Sequence, residues 1–446
     1  MDHRYPNDSV FYRHLHHSYP LITHGQGAYL YDEDGKKYLD ASGGAAVANL
    51  GHGIGEIAQA LQVQAEKAGY LNGMQFTHDP VETLARHISD FLPFEDGKTY
   101  FLTSGSEAIE AAIKLARQYW VEKGQSSKYR VISRMPSYHG NTLAALSLSA
   151  RERYRETFQP MLTESLMIPA PYCYRCFLAE TYPSCQVKCA RELEQAIKQL
   201  GAENVSAFLT EVIGGGSTGA AVPPAEYLQI IRRICDDYGV LLIADEVMTG
   251  AGRTGKWLAS HHFGFIPDFV VLGKGLTSGY FPLSALASKK EIVDSIYEKG
   301  KNFLHFQTFS HHPVGCAAGL ATMDYIKKHH LLERCSEMGS LLRRELSSLL
   351  AYPHVGDIRG EGLLIGIEFV QEKNTKKPFP RDSKYVENFI MKALNNGLVL
   401  WPNIGHADGK NGDLVLVAPP FVIGRDEISQ IVGLLGKTLE DMKNNF

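Results

Sequence analysis

Residues 240–246 read Val-Leu-Leu-Ile-Ala-Asp-Glu, an apolar run that ends abruptly in two carboxylates. Further along, residues 269–275 read Phe-Val-Val-Leu-Gly-Lys-Gly, where a second apolar run is followed by a lysine between two glycines. Short apolar runs of this kind are typical of strands that are buried on both faces of a parallel sheet. Because ligands of open α/β sheets bind beyond the carboxyl ends of the strands, we predict that Asp245 and Lys274 lie at one site.

The alternation of short β-rich runs with helical patterns extends from about Thr99 to Leu286. This order of elements predicts an α/β fold, in which helices cover both faces of a parallel sheet. The candidate strands are Thr99 to Thr103, Arg130 to Ser133, Ala207 to Glu211, Val240 to Asp245, Phe269 to Leu272 and Leu283 to Ala287.

The patterns divide the chain into three parts. Residues 1–68 contain a hairpin-like stretch with Asp34-Gly35 as its turn, and we expect this segment to pack with the C-terminal part. Residues 69–352 form the predicted large domain, which ends in two helices. Over residues 353–446 the order of strand, helix and strand predicts a smaller α+β domain.

The composition argues against several classes of protein. The chain has 446 residues, with 45 Lys and Arg against 49 Asp and Glu, so its net charge of −4 provides no general attraction for nucleic acid or anionic lipid. No apolar run approaches the roughly 20 residues that cross a bilayer, and the first twenty residues contain no apolar signal-peptide core. We therefore expect a cytoplasmic protein that acts on small molecules and binds neither nucleic acid nor a membrane.

Residues 103–108 read Thr-Ser-Gly-Ser-Glu-Ala and lie between a candidate strand and a helical pattern. The outward-pointing amides of such a helix start can bind phosphate. Ser104 and Glu107 match a capping box, which leaves the amides of Gly105 and Ser106 and the Ser106 hydroxyl available. The alternative is an ordinary helix cap, because this spacing is common.

Asp245 and Lys274 each allow two interpretations. The protonated ring nitrogen of a pyridinium would supply the cationic partner that a buried carboxylate needs, whereas strand-end aspartates also bind Mg²⁺. A lysine is usually solvated, but one that follows a buried strand near a cationic ring has a lowered pKa and can form an imine. Tyr138, which follows another candidate strand, could stack on a planar cofactor.

Several segments, taken in order, share a pattern with one family: Tyr29–Asp32, Leu39–Ala41, Ser104–Ala108, Tyr138–Gly140, Asp245–Val247, Gly273–Gly275 and Arg359–Leu363. The chain resembles the class III aminotransferases, the ornithine and ω-amino-acid branch of the fold-type I pyridoxal phosphate enzymes. The resemblance spans nearly the whole chain. It implies a large domain with a mostly parallel seven-stranded sheet and a smaller α+β domain built from both ends of the chain.

The resemblance also implies how pyridoxal phosphate would be held. Ser104, Gly105 and Ser106 would bind the phosphate at the helix start. Tyr138 would stack on one face of the cofactor ring, and Val247 would press on the other. No residue is assigned to a metal ion.

The remaining implied roles are catalytic or complete the site. Lys274 would hold the cofactor as a Schiff base and move the substrate proton, and Asp245 would pair with the pyridine nitrogen. His139 and Glu211 match residues of the family's cofactor site. Thr308 matches a threonine that reaches the phosphate of the neighbouring subunit, so the resemblance implies a homodimer with shared sites.

The predicted reaction moves an amino group from an ω-amino acid or amine to a keto acid such as pyruvate, with ping-pong kinetics. The alternatives are another class III specificity (diaminopelargonate, ornithine, GABA or diaminobutyrate type) and a racemase, aminomutase or decarboxylase on the same fold. A cofactor-binding regulator without activity is disfavoured, because Lys274 is retained and no DNA-binding segment is appended.

Three places depart from the family pattern. Met248 stands where some ornithine-type relatives have a glutamine that would contact the cofactor's ring hydroxyl. Residues 43–47 read Gly-Gly-Ala-Ala-Val where amine transaminases and diaminopelargonate enzymes place tryptophan, which argues against the diaminopelargonate specificity. Residues 404–413 replace a region in which many amine transaminases carry a mobile, carboxylate-binding arginine, and they offer only Lys410 as a fixed positive charge.

A group of cysteines with C-x₂-C and C-x₃-C spacing stands apart from these motifs. Such spacing could hold zinc or an oxidisable thiol pair, and the alternative is a cysteine-rich insertion loop. The group consists of Cys173, Cys176, Cys185 and Cys189.

Overall fold

The computed structural model describes residues 6, 7 and 9–443. Its strands are β1 (Ile22–Gln26), β2 (Tyr29–Asp32), β3 (Lys37–Asp40), β4 (Lys98–Leu102), β5 (Arg130–Met135), β6 (Met167–Pro169), β7 (Val205–Glu211), β8 (Leu241–Asp245), β9 (Phe269–Leu272), β10 (Ser284–Ser288), β11 (Val355–Glu361), β12 (Leu364–Phe369), β13 (Leu398–Val399), β14 (Trp401–Ile404) and β15 (Asp413–Val417). Its α-helices are α1 (Gly43–Ala46), α2 (Gly55–Lys67), α3 (Asp79–Ser89), α4 (Gly105–Glu122), α5 (Leu143–Ser147), α6 (Glu152–Arg155), α7 (Lys188–Leu200), α8 (Tyr227–Tyr238), α9 (Lys290–Tyr297), α10 (Pro313–Lys328), α11 (Leu331–Leu346), α12 (Tyr385–Asn395) and α13 (Arg425–Met442). Short 3₁₀ helices lie at Glu156–Met161, Cys173–Arg175, Ala202–Asn204, Ala259–His262, Lys274–Leu276, Ser347–Ala351 and Arg381–Ser383. Within the described part of the chain, no helix combines the length and apolar character that a membrane span requires.

The central sheet has seven strands in the order β4-β10-β9-β8-β7-β5-β6. Strands β6, β5, β7, β8 and β9 are parallel to one another. Strand β10 is antiparallel to both β9 and β4, so β4 runs in the same direction as the parallel strands. The predicted mostly parallel sheet is confirmed, and each candidate strand is present close to its predicted bounds. The sequence missed β6, because a three-residue edge strand that ends in proline has no readable pattern.

The middle of this sheet is buried on both faces. Every residue of β7 and β8 is buried. Along β8, Leu242 and Ala244 pack in a cluster with residues of α7 and α8, whereas Leu241 and Ile243 pack in a cluster with residues of α4. This alternation explains why the strand is a continuous apolar run, since neither face meets water. The sheet therefore holds its strand ends in fixed positions.

Both ends of the chain contribute to the remaining sheets. Strands β2 and β3 form the predicted hairpin, and β3 pairs in parallel with β13, with Leu39 opposite Leu398. A second, antiparallel sheet has the order β11-β12-β15-β14. Leu39 and Phe369 share one apolar cluster with Met338 of α11. The predicted smaller α+β unit is thus built from both chain ends, while the domain bounds at residues 68/69 and 352/353 remain our proposal.

Candidate active site

Five strands of the central sheet, namely β4, β5, β7, β8 and β9, have their carboxyl ends at the same edge. Helix α4 begins just past β4, and Tyr138 and His139 follow β5. Glu211 ends β7, Asp245 ends β8 opposite Glu211, and Lys274 lies just past β9. The structure thus brings these predicted residues to one edge, as expected for a ligand site of an open α/β sheet.

The start of α4 has the predicted capping box. The Ser104 amide donates to Glu107 Oε2 at 2.9 Å, and the Glu107 amide donates to Ser104 Oγ at 3.3 Å. Because the first amides of a helix have no acceptor within the helix, those of Gly105 and Ser106 are available to an anion. The helix dipole adds to this preference for negative charge.

The loop after β5 closes over this helix start. The Asn141 amide donates to Ser106 Oγ at 3.1 Å, and that hydroxyl donates to Asn141 Oδ1 at 3.1 Å. Gly140 has φ of 141°, and a Cβ there would lie only 2.5 Å from Ser106 Oγ. Glycine is therefore needed for the loop to approach the helix this closely. Sequence reasoning did not identify Asn141 because its contact depends on this long-range approach.

Asp245 is held by groups from two directions. Its Oδ1 accepts the Val247 amide at 3.0 Å, and its Oδ2 lies 2.7 Å from His139 Nδ1. Because an ionised carboxylate only accepts, Nδ1 donates the proton of the second bond. Ser149 Oγ accepts a hydrogen bond from the His139 amide at 2.8 Å and so fixes the backbone of His139. The carboxylate keeps lone pairs that can accept from a further cationic partner.

The neighbouring carboxylate, Glu246, has a different role. It is fully buried and accepts the amides of Ala259 at 3.0 Å and Ser260 at 2.8 Å. Burial raises the pKa of Glu246, and its hydrogen bonds oppose that effect. Glu246 therefore stabilises the start of the 3₁₀ helix Ala259–His262, whereas Asp245 remains at the edge of the sheet.

Lys274 begins a 3₁₀ helix directly after β9 and is half-buried. Burial lowers its pKa to about 8, although the carboxylates of Asp245 and Glu211 favour the charged form and Arg151 disfavours it. The backbone of Lys274 has φ of 44°, a left-handed conformation that is costly for a residue with a Cβ and is found most often at functional sites. An amine with this pKa is partly neutral near pH 7 and can act as a nucleophile.

Val247 and Tyr138 supply an apolar and an aromatic surface beside these polar groups. A Cβ on Gly105 would lie 2.9 Å from Val247 Cγ1, and one on Gly273 would lie 3.3 Å from it. The valine methyls thus cover the backbone at the start of α4 and at the end of β9. Tyr138 is 37% exposed, and the guanidinium carbon of Arg151 lies 5.0 Å from its ring centroid.

Glu211 is buried beside the turn that follows β7. Its Oε1 accepts the Gly215 amide at 2.9 Å, and its Oε2 accepts the Ser217 hydroxyl at 3.2 Å. Arg134 Nη2 lies 4.0 Å from Oε2 and donates to the Glu211 carbonyl at 2.7 Å. Glu211 is therefore a negative charge that the protein already stabilises.

Thr308 lies on the surface next to the helix start of its own chain. Its neighbour Gln307 donates from Nε2 to Thr103 Oγ1 at 2.8 Å and to Glu107 Oε1 at 3.1 Å. The Thr308 carbonyl accepts from the Tyr70 hydroxyl at 3.1 Å, and its side chain is exposed. Sequence reasoning missed Gln307, since its contacts join segments far apart in the chain.

These groups fit pyridoxal phosphate in charge and shape. The amides at the start of α4 suit a phosphate. A side chain at position 105 or 140 would crowd this helix start, because a Cβ added to Gly105 or Gly140 would lie within 3 Å of Val247 or Ser106. Asp245 suits a protonated ring nitrogen, and Lys274 suits an aldehyde. The fold is that of the fold-type I transferases, and the site is of the kind that such enzymes use for pyridoxal phosphate.

Comparison with known proteins identifies the branch of that class. The family model for class III aminotransferases matches residues 11–439, so the chain belongs to this family and is an aminotransferase. The chain is 38% identical, over 97% of each sequence, to the uncharacterized aminotransferase YodT of Bacillus subtilis. It is 34% identical to the putrescine–pyruvate aminotransferase of Pseudomonas aeruginosa, over 94% of this chain and 90% of that protein.

A solved structure agrees with this placement and bears on the cofactor. The amine transaminase of an uncultivated Pseudomonas species, solved in its PLP-bound form, superposes with a TM-score of 0.90. The two chains are 32% identical, and 98% of each is covered. Membership of the family thus implies pyridoxal phosphate as the cofactor.

The alternatives that involved a metal ion find no support. Across residues 6, 7 and 9–443, no group of three or more His, Cys, Asp or Glu side chains is arranged to hold a metal ion. This bears on the magnesium interpretation of Asp245 and on the zinc interpretation of the cysteines. The cysteines of residues 173–189 are free thiols that line one small cavity, and the oxidisable pair stays a prediction.

Proposed function

We propose that this aminotransferase moves an amino group from an ω-amino acid or amine to a keto acid such as pyruvate, in two half-reactions. The observation that carries the proposal is the lysine just past β9, whose pKa burial lowers to about 8 beside the strand-end Asp245. An amine donor and pyruvate also figure in the names of two similar proteins.

Pyridoxal phosphate, when bound, supplies a carbon that carries the amino group and a ring that accepts the electrons of the breaking C–H bond. Gly105 and Ser106 would bind its phosphate through their amides. Tyr138 and Val247 would enclose its ring from the two faces. This enclosure excludes water from the reacting carbon.

Asp245 would hold a proton on the ring nitrogen, because a buried carboxylate stabilises an adjacent positive charge. His139 would act by positioning, since its 2.7 Å hydrogen bond fixes the orientation of that carboxylate. Glu211 adds a second fixed negative charge at the same edge, which favours the protonated form of nearby amines.

Lys274 would take the proton from the donor carbon that bears the amino group and deliver it to the cofactor carbon that takes up that group. With a pKa of about 8, roughly a tenth of the free amine is neutral at pH 7, far more than for an ordinary lysine. A base whose pKa lies near the working pH is the most effective in proton transfer. Burial thus makes Lys274 a more effective base for this proton transfer.

A donor screen with pyruvate tests the proposal. Purified protein loaded with pyridoxal phosphate is mixed with a panel of ω-amino acids, diamines and monoamines, and alanine is measured. We expect alanine with at least one amine or ω-amino acid, and none with Lys274→Ala. Absence of alanine across the panel would contradict the assignment of pyruvate as acceptor and favour another class III specificity.

The same incubations separate transamination from other chemistry on this fold. A racemase would invert the donor without consuming pyruvate, a decarboxylase would release carbon dioxide, and an aminomutase would return an isomer of the donor. We expect carbonyl product and alanine in equal amounts. An isomerised or decarboxylated donor without alanine would favour the alternative.

We also propose a homodimer in which Thr308 completes the phosphate site of the partner. Large apolar side chains are exposed beside Thr308 in the chain, with exposed fractions of 63% for Phe306 and 51% for Phe309. Tyr70 hydrogen-bonds the Thr308 carbonyl, and the segment after it exposes Met74 by 75% and Phe76 by 61%. A patch of this kind usually marks a protein interface. Sedimentation should give a dimer. Thr308→Ala should weaken cofactor retention without dissociating the dimer. A monomer that retains the cofactor fully would contradict this arrangement.

We also propose that the protein is cytoplasmic. Fractionation of the native host, with activity followed in each fraction, tests it directly. Activity confined to a membrane or secreted fraction would be the contrary result.

A further inference from the structure

Arg151 is a cation near the candidate active site that has no role in the reaction proposed above. The residue is half-buried between α5 and α6, and its Nε atom is buried with no hydrogen-bond partner in the described part of the chain. Buried polar atoms are nearly always paired in native proteins. An unpaired guanidinium nitrogen therefore suggests a ligand group that would complete the pairing.

This guanidinium lies next to the cofactor-facing residues. Its carbon is 5.0 Å from the Tyr138 ring centroid, and its charge contributes to lowering the pKa of Lys274. Burial lowers the pKa of Arg151 itself, and Tyr154 and Glu211 oppose that effect. Arg151 is thus within electrostatic reach of the reacting lysine and of the site's negative charge.

Arg151 also lines an open cavity of about 620 Å³. The volume suits a small organic substrate, since ligand pockets typically measure about 300–1,000 Å³. Ser217 and His406 line the same cavity from other parts of the chain. A Cβ on Gly216 would lie 3.1 Å from Arg151 Nη2, so the glycine leaves room beside the guanidinium.

The other cations of this cavity are less suited to bind a substrate. Arg381 is engaged by Asp413 at 3.1 Å and also pairs with Glu387. The side chains of Arg153, Lys384 and Lys410 are exposed, where water competes for their charge.

Glu211 does not neutralise Arg151. Its oxygens accept the Gly215 amide and the Ser217 hydroxyl, and Arg134 lies 4.0 Å away as its cationic partner. Tyr154 hydrogen-bonds part of the guanidinium, but the charge of Arg151 and its unpaired Nε remain available for an incoming anion.

We propose that Arg151 binds the carboxylate of the keto-acid acceptor. Arg151 lies in a different part of the chain from residues 404–413, where many amine transaminases carry their carboxylate-binding arginine. Its planar guanidinium can donate two parallel hydrogen bonds to a carboxylate, which fixes both position and orientation. The inference rests on the proposed transamination. It predicts that the acceptors are small 2-oxo acids. It also predicts that binding of amine donors that lack a carboxylate does not depend on Arg151.

Steady-state kinetics with paired acceptors test the assignment. The variant Arg151→Gln is compared with Arg153→Gln, an exposed arginine of the same cavity, using pyruvate and propanal as acceptors and one amine donor. For Arg151→Gln we expect kcat/KM for pyruvate to fall by about 10- to 100-fold, and kcat/KM for propanal to change by less than about 3-fold. Arg153→Gln should alter neither acceptor. Equal losses with pyruvate and propanal, or no loss with pyruvate, would overturn the proposal.

Binding without turnover provides an independent readout. Calorimetric titration of the cofactor-loaded protein with propionate, and with propionamide as the uncharged control, measures recognition of the carboxylate alone. We expect Arg151→Gln to weaken propionate binding at least about 10-fold and Arg151→Lys to restore part of it. Unchanged propionate affinity in a folded Arg151→Gln protein would reject the assignment. Because this titration needs no amino donor, it distinguishes a wrong arginine from a wrong reaction.

Discussion

The strand-end edge of the central sheet and the loops around the cavity are built in different ways. At the edge, Asp245 and Lys274 each lie within a few residues of the end of a buried strand, so the sheet fixes their positions. Around the cavity, Arg151, Gly216 and His406 come from separate loops and meet only in the folded chain. We infer from this difference that the edge of the sheet governs the chemistry, whereas the loops govern which substrate is accepted.

The largest effect is expected at the edge. In the proposed site Lys274→Ala would remove both the covalent link to the cofactor and the base, so transamination should fall by at least about 1,000-fold, given what positioned proton transfer contributes. Alanine formation measures the activity, and the absorbance of the covalently bound cofactor should also be lost. A variant that kept the absorbance band would show that another residue holds the cofactor.

The two adjacent carboxylates separate chemistry from stability. Asp245→Asn should lower kcat by about 100-fold, because it would remove the fixed charge that we propose stabilises the reacting group. Glu246→Gln should instead lower the free energy of unfolding by about 1–3 kcal/mol, since it weakens hydrogen bonds to two buried amides. Thermal unfolding and kcat are measured for both variants. Reversed outcomes would exchange the roles of the two residues.

The pH dependence of cofactor binding tests the environment of Lys274. Burial lowers its pKa to about 8, so in the cofactor-free protein the rate of covalent attachment should rise with pH and level off above about 8. Between pH 8 and 6 the neutral fraction, and with it the rate, should fall by about 50- to 100-fold. Nα-acetyl-lysine treated with the same cofactor solution provides the profile of an ordinary amine. A protein profile that still rises between pH 9 and 10 would show that Lys274 is not perturbed.

The smallest effect is expected in the loops. Gly216→Ala would place a methyl group 3.1 Å from Arg151 Nη2 and 3.8 Å from Trp401 Nε1. We expect KM for pyruvate to rise roughly 10-fold, as one added methyl typically does in a pocket, while cofactor absorbance stays unchanged. Gly433→Ala is the matched control, because its Cβ would meet nothing within 4 Å. Loss of cofactor in Gly216→Ala would show that this loop also contributes to cofactor binding, contrary to the proposed division between edge and loops.

Much of the edge could be predicted from the sequence. A strand buried on both faces is a continuous apolar run, and the residue that ends it is therefore visible, as with Asp245 and with the lysine after Phe269–Leu272. The capping box at Ser104 and Glu107 is local in the chain and was predicted correctly.

The rest depends on contacts between distant segments. The sequence shows that Asp245 ends the strand but gives no role for Glu246, and only the position of the 3₁₀ helix at Ala259 shows that Glu246 accepts hydrogen bonds inside the protein. Arg151 carries no motif, and its importance follows from burial beside Tyr138. Such pairings are set by tertiary packing rather than by local pattern.

The parallel pairing of β3 with β13 has a consequence for biosynthesis. Leu39 leaves the ribosome early, yet its partner Leu398 is made only near the end of the chain. Throughout elongation, β3 thus presents an open edge that could pair with another nascent chain. Strand β13 closes that edge only once residues 398 and 399 have been made, so polypeptides released before residue 398 should be prone to aggregation and should depend on chaperones.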